Sequence, residues 1–147
     1  AISKLIDIAE VTRFMELIDD QSLNAKDVKK VLLCSGKIYY DLLEEKEKTG
    51  RSDVAILRME QLYPLPVTQL REMIAKYKYA KWAWVQEEPR NMGAWNYILR
   101  VVTEVELNYI GRKPSSTPAT GYSKQHQAEQ NRIIQHAFSA VDEAVEA

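Results

Sequence analysis

From Lys30 onward, short unbroken apolar runs alternate with longer amphipathic stretches. Val31-Leu32-Leu33-Cys34, Val54-Ala55-Ile56-Leu57 and Trp82-Ala83-Trp84-Val85 predict strands buried on both faces, because a continuous apolar run leaves no polar side for water. Tyr109-Ile110 predicts a short fourth strand. After Ser35-Gly36, Ile38, Leu42 and Leu43 share one helical face while Glu44, Glu45, Lys46, Glu47 and Lys48 fill the other, and Gly50 stands where a helix should stop. Leu70, Met73, Ile74 and Tyr77 recur at helical spacing within a helix from Val67 to Tyr77. Trp95, Ile98, Val102 and Val105 predict a long helix from Ala94 to Leu107. Ile133, Ile134, Ala137, Phe138 and Val141 line the inner face of a closing helix from Ser123 to about Val145.

The first residues read differently. Helical spacing through Ile6, Val11, Phe14, Met15 and Ile18 predicts one short helix, ended by the polar segment Asp19-Asp20-Gln21-Ser22. Residues 1–29 are therefore read as a lead-in from a preceding domain, and residues 30–147 as the folded domain. Strands alternating with helices imply βαβ units. The expected fold is an α/β three-layer sandwich: a mostly parallel sheet of four or five strands with helices on both faces and right-handed crossovers. Neither internal repeats nor low-complexity tracts interrupt it.

Composition narrows the function classes. The 147 residues carry 20 Lys and Arg against 21 Asp and Glu, a formal net charge of -1. That balance argues against a non-specific polyanion binder, which needs a basic excess. One cysteine, Cys34, excludes an internal disulfide and a thiolate-rich zinc site, and fits a reducing compartment. With no apolar run of membrane-spanning length and no signal-peptide pattern at Ala1 to Glu10, the expectation is a cytoplasmic domain, cut from a longer protein.

Ligands in such sheets bind outside the carboxyl ends of the strands, so the loops after each strand are where chemistry would sit. Ser35-Gly36-Lys37 has the make-up of an anion cradle at a helix start. It lacks the spaced glycines of a phosphate-binding loop, since position 31 is Val31, and the plainer alternative is a tight turn beside a solvated lysine. Glu87 and Glu88 are adjacent on a strand end and should point to opposite faces, which disfavours a shared-proton pair and favours capping or an interface ion pair. His126 and His136 are ten residues apart on one helix, not the spacing of a helical metal site. Cys34, inside an apolar strand, reads as an inert core residue. Trp82 and Trp84 share a strand face and read as core; Trp95 is balanced between core and interface.

Four motifs then occur in order. Val31-Leu32-Leu33-Cys34-Ser35-Gly36-Lys37-Ile38-Tyr39-Tyr40-Asp41-Leu42-Leu43 resembles the start of the C-terminal domain of the 2-oxoglutarate dehydrogenase E1 family. Arg58-Met59-Glu60-Gln61-Leu62-Tyr63-Pro64-Leu65-Pro66 resembles that family's second strand and turn. Gln86-Glu87-Glu88-Pro89-Arg90-Asn91-Met92-Gly93-Ala94-Trp95 resembles the block after its third strand. Tyr109-Ile110-Gly111-Arg112-Lys113-Pro114-Ser115-Ser116 followed by Pro118-Ala119-Thr120-Gly121-Tyr122 completes the series.

The resemblance spans about Lys30 to Phe138, and the related 2-oxoadipate enzymes share much of it. It implies a transketolase C-terminal-like fold. It also implies a parent enzyme that decarboxylates a 2-oxo acid with thiamine diphosphate and Mg2+ held by other domains, then passes the acyl group to a succinyltransferase E2. This fragment would hold no catalytic residue, cofactor or metal. It would buttress the preceding domains and the homodimer partner through Tyr63, Glu87, Glu88, Asn91, Trp95 and Tyr122. Some members of the family bind a nucleotide or acyl-CoA effector between domains, and Ser35, Lys37, Arg90, Arg112 and Lys113 are the positive or anion-friendly candidates for its phosphate. The alternative from another class is a free-standing α/β nucleotide-binding or interaction module.

Overall fold

The computed structural model describes residues 17–20, 24–113 and 123–139. Five strands form one sheet: β1 (Leu17–Ile18), β2 (Lys30–Cys34), β3 (Val54–Met59), β4 (Lys81–Pro89) and β5 (Leu107–Arg112). Their spatial order is β1-β3-β2-β4-β5, parallel throughout except for β1, which pairs antiparallel with β3 at the edge. Among the described residues, a 3-10 turn at Ala25–Asp27 precedes β2, and four α-helices connect or follow the strands: α1 (Ile38–Thr49), α2 (Val67–Lys76), α3 (Trp95–Val101) and α4 (Ser123–Ala137).

The alternation of side chains along each strand divides the core in two. Val31, Leu33, Ala55, Leu57, Trp82 and Trp84 face α2 and α3, meeting Leu70, Tyr77, Trp95 and Ile98. Leu32, Cys34, Val54, Ile56, Ala83 and Val85 face α1 and α4, meeting Ile38, Leu42, Ile133, Ile134 and Ala137. The central strands are apolar on both sides because both sides are covered. This is the three-layer α/β sandwich that the strand–helix alternation predicts.

Four expectations need correction. Ile18 is not helical: with Leu17 it forms β1, so the sheet draws a strand from the stretch read as lead-in. Two residues are too short for a period to show, and β1 is held mainly by groups outside it. Asp19 accepts from Tyr77 Oη at 2.7 Å and pairs with Lys76, while Asp20 pairs with the buried Lys46.

The long helix expected over Ala94–Leu107 ends at Val101, with Val102 extended (φ -88°, ψ 100°). Three consecutive β-branched residues, Val101-Val102-Thr103, weaken helix there. Val102 and Val105 still reach the core, but from the connection to β5. β4 continues through Gln86-Glu87-Glu88 to Pro89, and β5 covers six residues rather than two, so Gly111 and Arg112 belong to a strand. Finally, α4 closes at Ala137, where Ser139 Oγ donates to the His136 carbonyl at 2.8 Å in a turn. Val141 lies outside the described residues.

Candidate functional site at the carboxyl edge of the sheet

Parallel strands β2, β4 and β5 end side by side, which brings Ser35-Gly36-Lys37, Glu87 to Gly93 and Arg112-Lys113 to one edge. Gly36 takes a left-handed conformation (φ +80°) that lets the chain turn straight from β2 into α1. Lys37 occupies the N-cap in right-handed helical geometry and makes no side-chain cap. Its side chain is 76% exposed, yet its ammonium group donates to Glu87 Oε1 at 2.7 Å, and this hydrogen bond raises its pKa. Glu87 also accepts from Gln130 Nε2 at 3.0 Å, and the same nitrogen donates to Asp41 Oδ2 at 2.9 Å. A network of Lys37, Glu87, Gln130 and Asp41 thus ties the start of α1 and the middle of α4 to the end of β4.

Glu88 points elsewhere, as adjacent strand residues must. Its carboxylate lies near Gly93, whose φ of +69° allows the chain to turn toward α3. The loop between them is organised by Gln86, which is only 3% exposed. Gln86 Oε1 accepts from Trp84 Nε1 at 2.8 Å and from the Trp95 backbone N–H at 3.2 Å. Gln86 Nε2 donates to the carbonyls of Glu88 (3.1 Å), Pro89 (3.0 Å) and Met92 (2.9 Å). One buried amide therefore satisfies donors and acceptors that the loop would otherwise leave unpaired.

Two further cations of the edge, Arg90 and Arg112, have partners of their own. The Arg90 guanidinium lies over the Tyr109 ring, 5.1 Å from its centroid. Arg112 Nη2 meets His126 Nδ1 at 2.9 Å, and the Glu129 carboxylate approaches Arg112 Nε to 2.9 Å without lining up with its N–H. Lys113 is exposed. Tyr109 Oη bonds to the Arg112 carbonyl, and burial pushes that phenol up to about 12. Nearby, Arg58 stacks on Tyr39 and Tyr40 and pairs with Glu60.

Of the residues expected at an interface, Tyr63 is 63% exposed, stacks on Tyr97 at 4.4 Å, and precedes Pro64 through a cis peptide bond. Glu88 and Asn91 are also at the surface. Trp95 is not: at 4% exposed it packs within the chain's own core, 5.4 Å from Tyr109, which leaves it almost no area for a partner. Tyr122 lies outside the described residues. Trp82 and Trp84 are core, and Cys34 is fully buried with its thiol pushed up to about 12 by burial, the state of an inert core residue.

Gln86, Gln130 and Asp41 carry most of the polar architecture here, and sequence reading did not single them out. The available signal was Gln86 itself, an amide at the end of an otherwise apolar strand. Among the described residues no group of three or more His, Cys, Asp or Glu is placed to hold a metal ion. No helix among them is long and apolar enough to cross a membrane.

These features define a doubly covered, mostly parallel α/β domain whose strand-end edge is closed by hydrogen bonds within the chain. Residues 2–138 match the family described as 2-oxoglutarate dehydrogenase C-terminal, and the chain belongs to that family. It is 43% identical to the 2-oxoglutarate dehydrogenase E1 component of Azotobacter vinelandii, over 95% of this chain and 16% of that protein. It is 39% identical to the protein of the same name from Haemophilus influenzae, again over 95% and 16%. It is 41% identical to the oxoglutarate dehydrogenase of Buchnera aphidicola, over 88% of this chain and 15% of that protein. The chain thus spans about one sixth of the length of these relatives.

Proposed function

We propose that this chain is the carboxyl-terminal architectural domain of an E1 enzyme that oxidatively decarboxylates 2-oxoglutarate and transfers the product to the lipoyl group of a succinyltransferase E2. Thiamine diphosphate and Mg2+ would be bound by the other domains, and this domain would support them and the homodimer. The observation that carries the architectural role is the state of the strand-end edge. Where a ligand site would need unspent groups, Lys37 is paired with Glu87, Arg112 with His126, and Arg90 is stacked on Tyr109. Surface left for other domains includes the stacked pair of Tyr63, from a loop, and Tyr97, from α3, together with Asn91. An effector phosphate held by Ser35, Lys37, Arg90, Arg112 and Lys113 would have to displace the partners of Lys37, Arg90 and Arg112 first.

Two measurements test the reading together. An antibody raised against the chain should detect, in denatured extracts of the source cells, a protein several times heavier than 17.0 kDa. In that protein, Lys37→Ala should leave 2-oxoglutarate turnover and effector affinity within about twofold of the parent, because an exposed ion pair contributes little. A band near 17 kDa would refute membership of a larger enzyme. A large loss of nucleotide or acyl-CoA affinity would replace the architectural role with an effector-binding one.

A further inference from the structure

α1 buries Ile38, Leu42 and Lys46, a stripe in four-residue steps down one face. The third position of that stripe carries an ammonium where the pattern asks for an apolar side chain. Lys46 is only 7% exposed, and it is paired with Asp20. A buried ion pair adds little stability over apolar side chains of the same volume, but breaking one by removing a partner is costly. What the pair supplies is a fixed relation between two elements: the end of α1 and the strap formed by β1 with Asp19 and Asp20.

The strap grips both faces of the sheet. Its backbone pairing is two residues long, Leu17 with Met59 and Ile18 with Arg58. Beyond it, neighbouring side chains diverge as they do along any extended chain. Asp19 turns to the α2 face, where it accepts from Tyr77 Oη at 2.7 Å and pairs with Lys76. Asp20 turns to the α1 face, where it meets Lys46 and accepts from the Ile56 N–H at 3.4 Å. The opposite end of α1 is also held by polar contacts. Lys37 donates to Glu87 Oε1 at 2.7 Å, and Asp41 accepts from Gln130 Nε2 at 2.9 Å. From Lys37 to Lys46 the helix rises about 14 Å. Ile38 and Leu42 keep α1 on the sheet, but apolar contact is non-directional and leaves its position along its own axis open. The polar contacts at its two ends set that position.

We propose that α1 is a lever that couples the β1 strap to the carboxyl edge of the sheet. With Asp20 on Lys46, the helix stands where Lys37 and Asp41 meet Glu87 and Gln130. Displacing the strap lets α1 shift, opens those contacts and presents the Lys37 ammonium at the edge. The test is amide hydrogen exchange of the 147-residue chain, read by NMR against Leu32 and Leu33 of β2, which exchange through global unfolding. Asp20→Asn should quicken exchange at Tyr40 to Leu42 about tenfold relative to β2, and should move the Gln130 side-chain amide resonances. Asp19→Asn loosens the same strap on the α2 side and should leave Tyr40 to Leu42 within about twofold. Lys46→Met fills the buried position without a charge and cuts the lever, so adding Asp20→Asn to it should change nothing further at Tyr40 to Leu42. The proposal is overturned if Asp20→Asn quickens β2 and α1 equally, if its effect stops at Lys46, if Asp19→Asn moves the start of α1 as strongly, or if Asp20→Asn acts there undiminished beside Lys46→Met.

Discussion

Replacing Gln86 by leucine would expose how much of this domain's order rests on one amide. Leucine is similar in size but neither donates nor accepts, so all five hydrogen bonds of the side chain are lost. The losses are unequal. Glu88 and Met92 lie at the surface, so their carbonyls can turn to water. Trp84 Nε1–H and the Trp95 N–H cannot, because Trp84 and Trp95 are buried at 2% and 4% exposure. Each orphaned buried donor costs roughly 1–3 kcal/mol, and burying the leucine offsets part of that, leaving a net loss of about 3 kcal/mol. With a urea m-value of about 1–3 kcal/mol per molar, the unfolding midpoint should fall by about 1–3 M at unchanged m. Tryptophan fluorescence follows the transition, and hydrogen exchange should quicken at Asn91 to Trp95 before it does in β2. Gln86→Glu adds a chemical control: it keeps acceptors for both N–H groups but turns a carboxylate toward three carbonyls. Its folded-state pKa is therefore raised, so its stability deficit should shrink as the pH falls and the carboxyl becomes a donor. A loss below about 1 kcal/mol in Gln86→Leu, with exchange at Asn91 to Trp95 unaltered, would refute the idea that this amide organises the loop.

Two further outcomes are expected from the same structure. A Cβ on Gly111 would lie 2.5 Å from Tyr109 Oη and 2.8 Å from the Gln86 carbonyl, so Gly111→Ala should cost about 2 kcal/mol or more in denaturant unfolding, and a change within 0.5 kcal/mol would show that the strand end yields freely. Cys34, whose thiol ordinarily titrates near 9.0 and is pushed up to about 12 by burial, contributes stability that is fully present below pH 9 and lost as the pH rises toward 12; the loss should approach about 1.4 kcal/mol per pH unit, and Cys34→Val should show a shallower alkaline decline in unfolding free energy. Identical alkaline slopes for the two proteins would assign the decline to the raised tyrosines Tyr77 and Tyr109 instead.

The sequence by itself determined the layers. Continuous apolar runs at Val31–Cys34, Val54–Leu57 and Trp82–Val85 can be stable only where helices cover both faces of a sheet, and the spacing of Leu70, Met73, Ile74 and Tyr77 names the face that does the covering. The burial of Trp82, Trp84 and Cys34 follows from the same argument. What the tertiary structure decided is whatever depends on groups far apart in the chain. β1 is two residues of backbone pairing secured by Asp19 and Asp20 against Tyr77, Lys76 and Lys46, and no local period encodes such contacts. Trp95 could have faced a partner, but its ring falls into the space beside Tyr109, a neighbour fixed only by the β4–β5 register. Lys37 looks in sequence like a free cation at a helix start, yet Glu87, fifty residues on, holds it because β2 and β4 end side by side. Hydrogen-bond partners are chosen by three-dimensional proximity and direction, and a one-dimensional pattern of apolar and polar positions carries neither.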